Sequence, residues 1–350
     1  MHGVILDSKT MGKGVDLKPI IDLLDSWDVF ELTSRSETNQ RISDADVVLT
    51  NKVKIDKSNL QSAKKLKFIS VLATGTDHID LNEASQSDVK VSNVRGWCTP
   101  SVTQHTVALL LSLTNKVSQY SADVCSGKWQ SSDTFALLNY HTEEISGKTI
   151  GIFGFGELGQ SFSNVMKSFG AKVLLGERKN LPPRAGRKSF EETLERSDFI
   201  SLHCPLTPEN FHMIDKMALK RMKSSAFLIN TARGGLINSD HLLEALSSGE
   251  IAGAGLDVLE TEPPSDNEPL SAVKMPNLII SPHVAWSAIE SRKRLVELVG
   301  EINMQKAAIQ GVINEQTRLR DSEHLTFEQR QEFAMRLLDQ QILMLEQEKK

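Results

Sequence analysis

The stretch of sequence that decides the fold is Gly151-Ile-Phe-Gly-Phe-Gly-Glu-Leu-Gly159, an apolar run that leads into a glycine-rich turn. It predicts a buried strand, a tight turn and the start of a helix. Its last three glycines fit G-x-G-x-x-G. Gly154 allows the tight turn, Gly156 lets the backbone approach a pyrophosphate, and Gly159 lets the helix pack close to the sheet. The helix N-terminus offers N–H groups and a partial positive charge to phosphates. The stretch therefore predicts a dinucleotide-binding unit in the middle of the chain.

Short apolar strands alternate with helical patterns on both sides of this turn, which is typical of parallel sheets covered by helices. Before the turn, strands are predicted at residues 3–6, 29–32, 47–50, 68–72 and 89–94. From the turn onward, they are predicted at residues 149–153, 172–175, 199–202, 226–229, 254–258 and 278–281. Helices are predicted at 18–24, at 101–117 and from 289 to about 310. We therefore expect an α/β protein with two doubly wound parallel-sheet domains.

Composition excludes several classes of protein. A net charge of −5 over 350 residues argues against a nucleic-acid partner. The densest apolar run, residues 107–113, is too short to span a bilayer, and the N-terminus lacks the pattern of a signal peptide. The cysteines, Cys98, Cys125 and Cys204, are few and widely spaced, which is typical of a reducing cytoplasm and offers no zinc spacing. We expect a cytoplasmic protein with no metal, no membrane partner and no nucleic-acid partner.

Ligands of open α/β sheets bind beyond the carboxyl ends of the strands, so the residues that follow each strand are candidates for the site. Glu177 follows the second strand of the second series, 21 positions beyond Gly156. A carboxylate there can accept hydrogen bonds from the adenosine ribose and repel a 2′-phosphate, which favours NAD over NADP. Arg178 and Lys179 come directly after it, and a cation there could instead bind the phosphate.

The next strand ends carry further polar side chains. His203-Cys204-Pro205 follows the third strand, where the proline can leave a backbone wall facing a cofactor, although the histidine and cysteine could equally be buried packing residues. Arg233 follows the fourth strand among small residues, which suits a bidentate grip on a carboxylate. Asp257 follows the fifth strand, and His283, after the sixth, can exchange a proton at physiological pH.

These residues and several segments around them resemble the D-isomer-specific 2-hydroxyacid dehydrogenase family, and glycerate dehydrogenase/hydroxypyruvate reductase members in particular. The resemblance covers residues 1 to about 312. The matching segments are the glycine turn, Thr74–Asp80, Asn93–Val102, His203–Thr207, Asn230–Gly235, Asp257–Pro263 and Pro282-His283. One departure is Gln104-His105, where many members have Glu-His, at a position that is not catalytic in the family.

The resemblance implies a Rossmann cofactor domain inserted in a flavodoxin-like substrate domain. The implied boundaries are 1–100 for the first part of the substrate domain, 101–284 for the cofactor domain and 285–313 for the return to the substrate domain. Residues 314–350 would form a helical extension outside the family pattern. Within it, Thr326 and Gln329 could cap a helix that places Ala334, Leu338, Ile342 and Leu345 on one face. The resemblance also implies a homodimer formed largely through the cofactor domain.

The family's functional residues map onto this chain one by one. Arg233 matches the arginine that binds the substrate, and His283 matches the acid/base histidine. Glu262, and not Glu260, occupies the position of the family's glutamate. The implied contacts of the cofactor, NAD with NADP as the less favoured choice, are Thr74, Gly154, Gly156, Glu157, Leu158, Gly159, Glu177, His203, Cys204, Pro205, Thr231, Ala232, Arg233, Asp257 and His283. The implied contacts of a small 2-oxo or 2-hydroxy acid are Thr74, Gly75, Arg233, His283 and Trp286.

Several alternatives stay open on the sequence. Hydroxypyruvate or glyoxylate is the favoured substrate, and phosphite dehydrogenases share the Arg–Glu–His pattern, whereas formate dehydrogenases pair their histidine with glutamine. Trp97 and Trp286 could line the site and favour a small polar substrate, or could pack a domain interface. An NAD-sensing, corepressor-like binding protein could keep the same residues without turnover.

Overall fold

The computed structural model describes residues 1–303 of the chain. It contains two compact units, Cys98–Ser291 and a unit that joins Met1–Trp97 to the described residues from Arg292 onward. The sequence placed the corresponding boundaries after residues 100 and 284. The predicted helix of the C-terminal extension lies outside the described residues.

The unit that contains Met1–Trp97, called the first unit below, is built on a five-stranded parallel sheet. Its strand order is β2-β1-β3-β4-β5, the flavodoxin-like order. The strands are β1 His2–Ile5, β2 Ser26–Val29, β3 Val47–Thr50, β4 Phe68–Val71 and β5 Lys90–Asn93. The helices are α1 Lys18–Ile21, α2 Thr38–Ile42, α3 Lys57–Ser62 and α4 Leu81–Gln86, with a 3-10 turn at Ser8–Met11. All residues of the central strands β3 and β4 are buried, which explains their unbroken apolar sequences.

Strand β2 lies three residues before its predicted place at 29–32. It is an edge strand that pairs only with β1, and its residues are exposed or half-buried, so no alternation of apolar and polar residues marks it. Trp27 lies opposite Gly3, and a Cβ on Gly3 would collide with the indole ring. The register of this edge is therefore set by a contact that the strand's own pattern does not show.

The second unit is built on a six-stranded parallel sheet in the order β11-β10-β9-β8-β6-β7. The strands are β6 Thr149–Phe153, β7 Lys172–Gly176, β8 Phe199–Leu202, β9 Phe227–Asn230, β10 Gly253–Leu256 and β11 Leu278–Ile280. Beyond β7, Lys188 adds one parallel bridge to Gly176. The strand order reverses at β6, which lies between β7 and β8, and such a switch point opens a ligand crevice at the carboxyl ends. The glycine turn follows β6 at that point.

Helices accompany this second sheet, and the first of them ends earlier than the sequence predicted. They are α5 Thr99–Asn115, α6 Val117–Cys125, α7 Glu157–Ser168, α8 Phe190–Arg196, α9 Lys216–Arg221 and α10 Ser239–Ser248, with 3-10 turns at Pro208–Asn210 and Gly234–Leu236. A further helix, α11 Ile289–Leu298, begins in this unit and continues from Arg292 into the first one. Helix α5 stops because Lys116 adopts a left-handed conformation at φ 54°. Helix α11 gives way to a π-helical turn at Val299–Asn303, and the predicted end near residue 310 lies outside the described residues.

No helix within residues 1–303 is both long and apolar enough to cross a membrane. The same residues contain no cluster of three or more His, Cys, Asp or Glu side chains arranged to hold a metal ion.

Candidate active site

The glycine turn brings three backbone segments into close contact. Gly154 has φ 90°, and a Cβ there would lie 2.5 Å from the carbonyl carbon of His203, which directly follows the neighbouring strand β8. A Cβ on Gly159 would collide with the carbonyl oxygen of Gly154. By contrast, a Cβ on Gly156 would meet no described protein atom within 4 Å. Protein packing thus requires glycine at 154 and 159, whereas the open face at Gly156 suits the close approach of a pyrophosphate.

Helix α7 begins directly at this turn, with Gly156 as its N-cap. Within the described part of the chain, no side chain caps its first N–H groups, which include those of Glu157 and Leu158. The Glu157 carboxylate instead accepts a hydrogen bond of 2.6 Å from the Thr99 hydroxyl. These N–H groups and the helix dipole fit the phosphates of a dinucleotide.

Glu177, the predicted ribose ligand, is buried and fully engaged by its own loop. Arg184 donates to both carboxylate oxygens, from Nε at 2.6 Å and from Nη2 at 2.8 Å. The backbone N–H groups of Arg178 and Arg184 donate as well, at 2.9 and 3.3 Å. The Arg184 hydrogen bonds, assisted by the two backbone bonds, hold the pKa of Glu177 at about 2 against the opposing effect of burial. The carboxylate is therefore ionised and already paired.

The segment after β8 carries two side chains with strongly shifted pKa values. His203 packs against the Phe162 ring, with 5.2 Å between ring centroids, and contacts the Ser201 hydroxyl at 2.9 Å. Burial lowers the pKa of His203 to about 4, so the ring is neutral near pH 7. Burial also raises the pKa of the Cys204 thiol to about 11, which keeps it protonated. These properties support the packing alternative for both side chains, and they leave the exposed Pro205 as the wall residue.

Asn230 organises the loop that carries Arg233, a role that the sequence analysis did not assign. The Asn230 side chain is fully buried, donates to the carbonyl of Arg233 at 2.9 Å and accepts from the N–H of Ala232 at 3.0 Å. Thr231 is fixed separately, because its hydroxyl contacts that of Thr106 on α5 at 2.9 Å. The signal available in the sequence was an asparagine directly after the predicted buried strand 226–229, since a polar side chain there needs hydrogen-bond partners.

The Arg233 loop packs against the loop that carries Glu262. A Cβ on Gly234 would collide with the backbone of Leu259 and Glu260, so only glycine allows the two loops to come this close. Glu260 itself points to another partner, since its carboxylate contacts His212 Nε2 at 2.7 Å. The pairing of Glu260 with His212 agrees with the assignment of Glu262 to the family's glutamate position.

Glu262 and His283 form a hydrogen-bonded pair. His283 Nδ1 lies 2.5 Å from Glu262 Oε2, and the other carboxylate oxygen accepts from the Leu259 N–H at 3.0 Å. The carboxylate is thus fixed by its own loop while it orients the imidazole. With Nδ1 bound to Glu262, Nε2 is the ring nitrogen that can exchange a proton with a substrate. The side chain of His283 is 26 % exposed, so a small molecule can reach it.

Asp257 fixes the loop that carries His283. Its carboxylate is buried and accepts from the Ser281 hydroxyl at 2.6 Å and from the N–H groups of Val284 and Ala285 at 2.9 and 2.8 Å. Burial raises the pKa of Asp257, but these hydrogen bonds, with one from His105, outweigh it and hold the pKa below its usual value. The family resemblance implies a cofactor contact for Asp257, and the structure shows that its oxygens also accept hydrogen bonds from the loop that carries His283.

His105 contributes to the same cluster from helix α5. Its Nε2 lies 2.8 Å from the Ser281 hydroxyl and 3.3 Å from Asp257 Oδ1. In the sequence, His105 stood out only as part of the Gln104-His105 pair, at a position that is not catalytic in the family. The structure shows that it ties α5 to the strand end before His283.

The backbone at His283 is held in a left-handed conformation with φ 52°. Its N–H donates to the Asp257 carbonyl at 2.8 Å, and its carbonyl accepts from the Trp286 indole at 2.9 Å. Such a conformation costs a non-glycine residue about 1–2 kcal/mol, so the bonds around it must hold it in place. Trp286 therefore supports the loop of the proposed acid/base, whatever further contact it makes.

The other predicted substrate contacts lie in the first unit. The Thr74 hydroxyl donates to the Val94 carbonyl at 3.0 Å and accepts from the Trp97 indole at 3.1 Å. Trp97 is buried in that unit, which favours a packing role for it. The Thr74 side chain thus fixes the turn at Thr74 and Gly75, whose backbone N–H groups the family resemblance assigns to the substrate.

Comparison with known proteins gives the same assignment. Residues 107–285 match the family model described as D-isomer specific 2-hydroxyacid dehydrogenase, NAD binding domain. The chain is 39% identical over 305 residues to a putative 2-hydroxyacid dehydrogenase of Haemophilus influenzae, covering 86% of this chain and 96% of that one. It is 36% identical to a hydroxypyruvate reductase of Blautia hydrogenotrophica, covering 85% and 94%.

A solved structure is similar as well. An acyclic imino acid reductase in complex with NADPH and D-arginine is 27% identical, with a TM-score of 0.76, and the match covers 88% of this chain and 98% of that one. The match extends the agreement from the sequence to the fold. The chain belongs to the D-isomer-specific 2-hydroxyacid dehydrogenase family, and it is an oxidoreductase of that family.

Proposed function

We propose that the protein reduces a small 2-oxo acid, hydroxypyruvate or glyoxylate, to the D-2-hydroxy acid with a nicotinamide dinucleotide. The observation that carries this proposal is the His283–Glu262 pair on loops at the carboxyl edge of the sheet that also carries the glycine turn. An acid/base histidine and a phosphate-binding turn on one sheet edge are the parts that hydride transfer to a carbonyl requires. NAD(H) is the cofactor that the sequence favoured.

The bound cofactor would supply the hydride that adds to the carbonyl carbon. Protonated His283 donates its Nε2 proton to the carbonyl oxygen, so that one hydride and one proton convert the C=O into a CH–OH group. Glu262, hydrogen-bonded to Nδ1, stabilises the imidazolium form. Arg233 binds the substrate carboxylate and offsets the negative charge that develops on the oxygen.

The remaining assigned residues position these groups. Asp257 fixes the His283 loop from inside, and Asn230 fixes the loop that presents Thr231, Ala232 and Arg233. Asp257 stays a predicted contact of the cofactor, because Oδ2 accepts from the Ala285 N–H while the Ser281 and Val284 bonds go to Oδ1. Thr74 and Gly75 stay as predicted ligands of the substrate carboxylate through their backbone N–H groups.

A substrate panel tests this function. Initial rates are measured with hydroxypyruvate, glyoxylate, pyruvate and phenylpyruvate, each with NADH and NADPH, and the product's configuration is determined. We expect the fastest reduction with hydroxypyruvate or glyoxylate and a D product. Cofactor binding without turnover of any 2-oxo acid would contradict the proposal and favour the cofactor-sensing binding protein.

We also propose a homodimer formed through the second unit. The segment around α6 leaves large apolar side chains in solvent, with Phe135 94 % and Leu138 88 % exposed and Trp129 half exposed. Clustered apolar side chains of this kind favour a protein–protein contact. Light scattering after gel filtration should give the mass of two chains, and a Phe135→Ser/Leu138→Ser double variant should shift it toward one chain. A monomeric wild type would contradict the dimer.

We propose a cytoplasmic location as well, which the few and widely spaced cysteines of the sequence, Cys98, Cys125 and Cys204, favour.

A further inference from the structure

We propose that the adenosine end of the cofactor site accepts a ribose 2′-phosphate, so that the protein binds NADP(H) at least as tightly as NAD(H). The proposal rests on the proposed function only in requiring a nicotinamide dinucleotide as ligand. It changes the sequence-based preference for NAD, which depended on Glu177 as an acceptor for the ribose hydroxyls.

The Glu177 carboxylate has no acceptor site left for a ribose hydroxyl. A carboxylate offers about four lone-pair sites. Here Oε1 accepts from the Arg178 N–H and from Arg184 Nη2, and Oε2 accepts from Arg184 Nε and the Arg184 N–H. All four bonds come from residues of the same loop. A ribose hydroxyl could bind this carboxylate only by displacing one of them.

The loop around this carboxylate carries more positive than negative charge. Arg178, Arg184 and Arg187 contribute three positive charges, against one negative charge from Glu177 and one from Glu209, which the charge of Arg178 reaches. Arg187 lies 4.0 Å from Glu177 Oε2 through Nε and donates to the Gly176 carbonyl at 2.9 Å. Lys179 is not counted, because Asp215 pairs with it at 2.6 Å. An acid that would repel a 2′-phosphate is thus outnumbered by guanidinium groups, which bind phosphates well.

The arginine-rich loop lies near the glycine turn. Strand β7 ends at Gly176, directly before this loop, and pairs with β6, which leads into the glycine turn. The loop therefore starts one strand away from the proposed pyrophosphate site. Arg178 is exposed. Its charge also acts on Cys204 and Glu209, beyond β8 on the other side of β6, where it opposes the effect of burial on the Cys204 pKa. Arg178 therefore lies on the crevice side of this loop, where the adenosine ribose is expected.

Binding of adenosine nucleotides tests the proposal without turnover. Calorimetry on the full chain compares adenosine 2′,5′-bisphosphate with 5′-AMP, which differ only in the 2′-phosphate. We expect the bisphosphate to bind about tenfold more tightly, as one added charge-assisted contact implies. Equal affinities, or tighter binding of 5′-AMP, would overturn the proposal.

Two variants separate the contributions of the loop. Arg178→Gln should weaken the bisphosphate about tenfold and leave 5′-AMP unchanged. Arg184→Gln should do more, because it removes a cation and also releases the Glu177 carboxylate, so 5′-AMP should become the tighter ligand. Arg196→Gln, in α8 and paired with Glu192, is the matched control and should change neither affinity. If Arg184→Gln fails to fold, Arg178→Gln decides alone, and an equal loss for both nucleotides in Arg178→Gln would count against the proposal.

The outcomes also separate this proposal from the proposed function. Selective binding of the bisphosphate without reduction of any 2-oxo acid would overturn the function and leave the 2′-phosphate site standing. Reduction with NADH and no selectivity for the bisphosphate would do the reverse.

Discussion

Asp257 and Glu177 are both buried carboxylates at strand ends of the same sheet, yet their surroundings give them different tasks. Asp257 is held by backbone N–H groups, a serine hydroxyl and His105, all from groups that position the His283 loop. Glu177 is held by the Arg184 guanidinium and by N–H groups of its own loop. The donors that fill a carboxylate's lone pairs therefore decide whether it fixes the loop of the proposed acid/base or neutralises a neighbouring positive charge.

This difference predicts that changes at the Asp257 end act on rate, and that changes at the Glu177 end act on cofactor choice. The largest effect is expected for His283→Ala, which removes the proton donor. The turnover rate should fall by about 10²–10⁴-fold, the usual range for a general acid. Affinity for the reduced cofactor, followed by its fluorescence, should be retained. His2→Ala, at the start of β1 in the first unit, is the control, and near-full turnover by His283→Ala would refute the assignment.

A smaller loss of rate is expected for Asp257→Asn. The asparagine amide has one acceptor oxygen, and its NH2 group would face the N–H and O–H donors that now bind the second carboxylate oxygen. Each buried donor that is left unpaired costs roughly 1–3 kcal/mol of stability. We expect a lower denaturation midpoint together with a lower turnover rate, because the His283 loop is no longer fixed.

The control for Asp257→Asn is Asp198→Asn, at the opposite edge of the sheet. Asp198 accepts from the Thr149 N–H at 2.8 Å and pairs with Lys223 at 2.8 Å, so its loss should also lower stability. Turnover per folded molecule should stay near that of the wild type. If the two variants lost rate equally, Asp257 would have only a structural role.

The smallest effect concerns stability at low pH. The folded-state pKa of Glu177 is about 2, below the ordinary value of 4.5, so its contribution to stability is complete above pH 4.5 and is lost as the pH falls toward 2. Denaturation midpoints of the wild type and Glu177→Gln should therefore differ at pH 7 and converge as the pH drops through that window. A constant difference across the window would show that the ion pair does not stabilise the fold.

Most of the fold could be predicted because buried parallel strands carry unbroken apolar runs. The bounds predicted for β3, β6 and β8 are those observed. The edge strand β2 could not be placed, since its residues are largely exposed and its register depends on the contact between Trp27 and Gly3. The end of α5 was missed for a similar reason, because the left-handed Lys116 is not a residue type that marks helix ends.

The sequence indicated which candidate residues follow the strands, but it did not indicate their hydrogen-bond partners. The position of Glu177 relative to Gly156 indicated a cofactor contact. In the structure, Arg184, seven residues after Glu177, donates a hydrogen bond to each oxygen of the Glu177 carboxylate. The pairing of His105 with Asp257 was likewise invisible, since the two residues are distant in sequence. A sequence shows which groups reach a strand end, whereas their hydrogen-bond partners depend on how the loops fold back.

The most direct test of the central claim is the pH dependence of a single turnover of hydroxypyruvate, with protein preloaded with reduced cofactor, in the wild type and in Glu262→Gln. The rate should fall as the pH rises, because His283 loses the proton that it donates. In Glu262→Gln the fall should begin at lower pH, because a neutral amide no longer stabilises the imidazolium. Two profiles that coincide would contradict the assignment of Glu262 and His283 as the working pair.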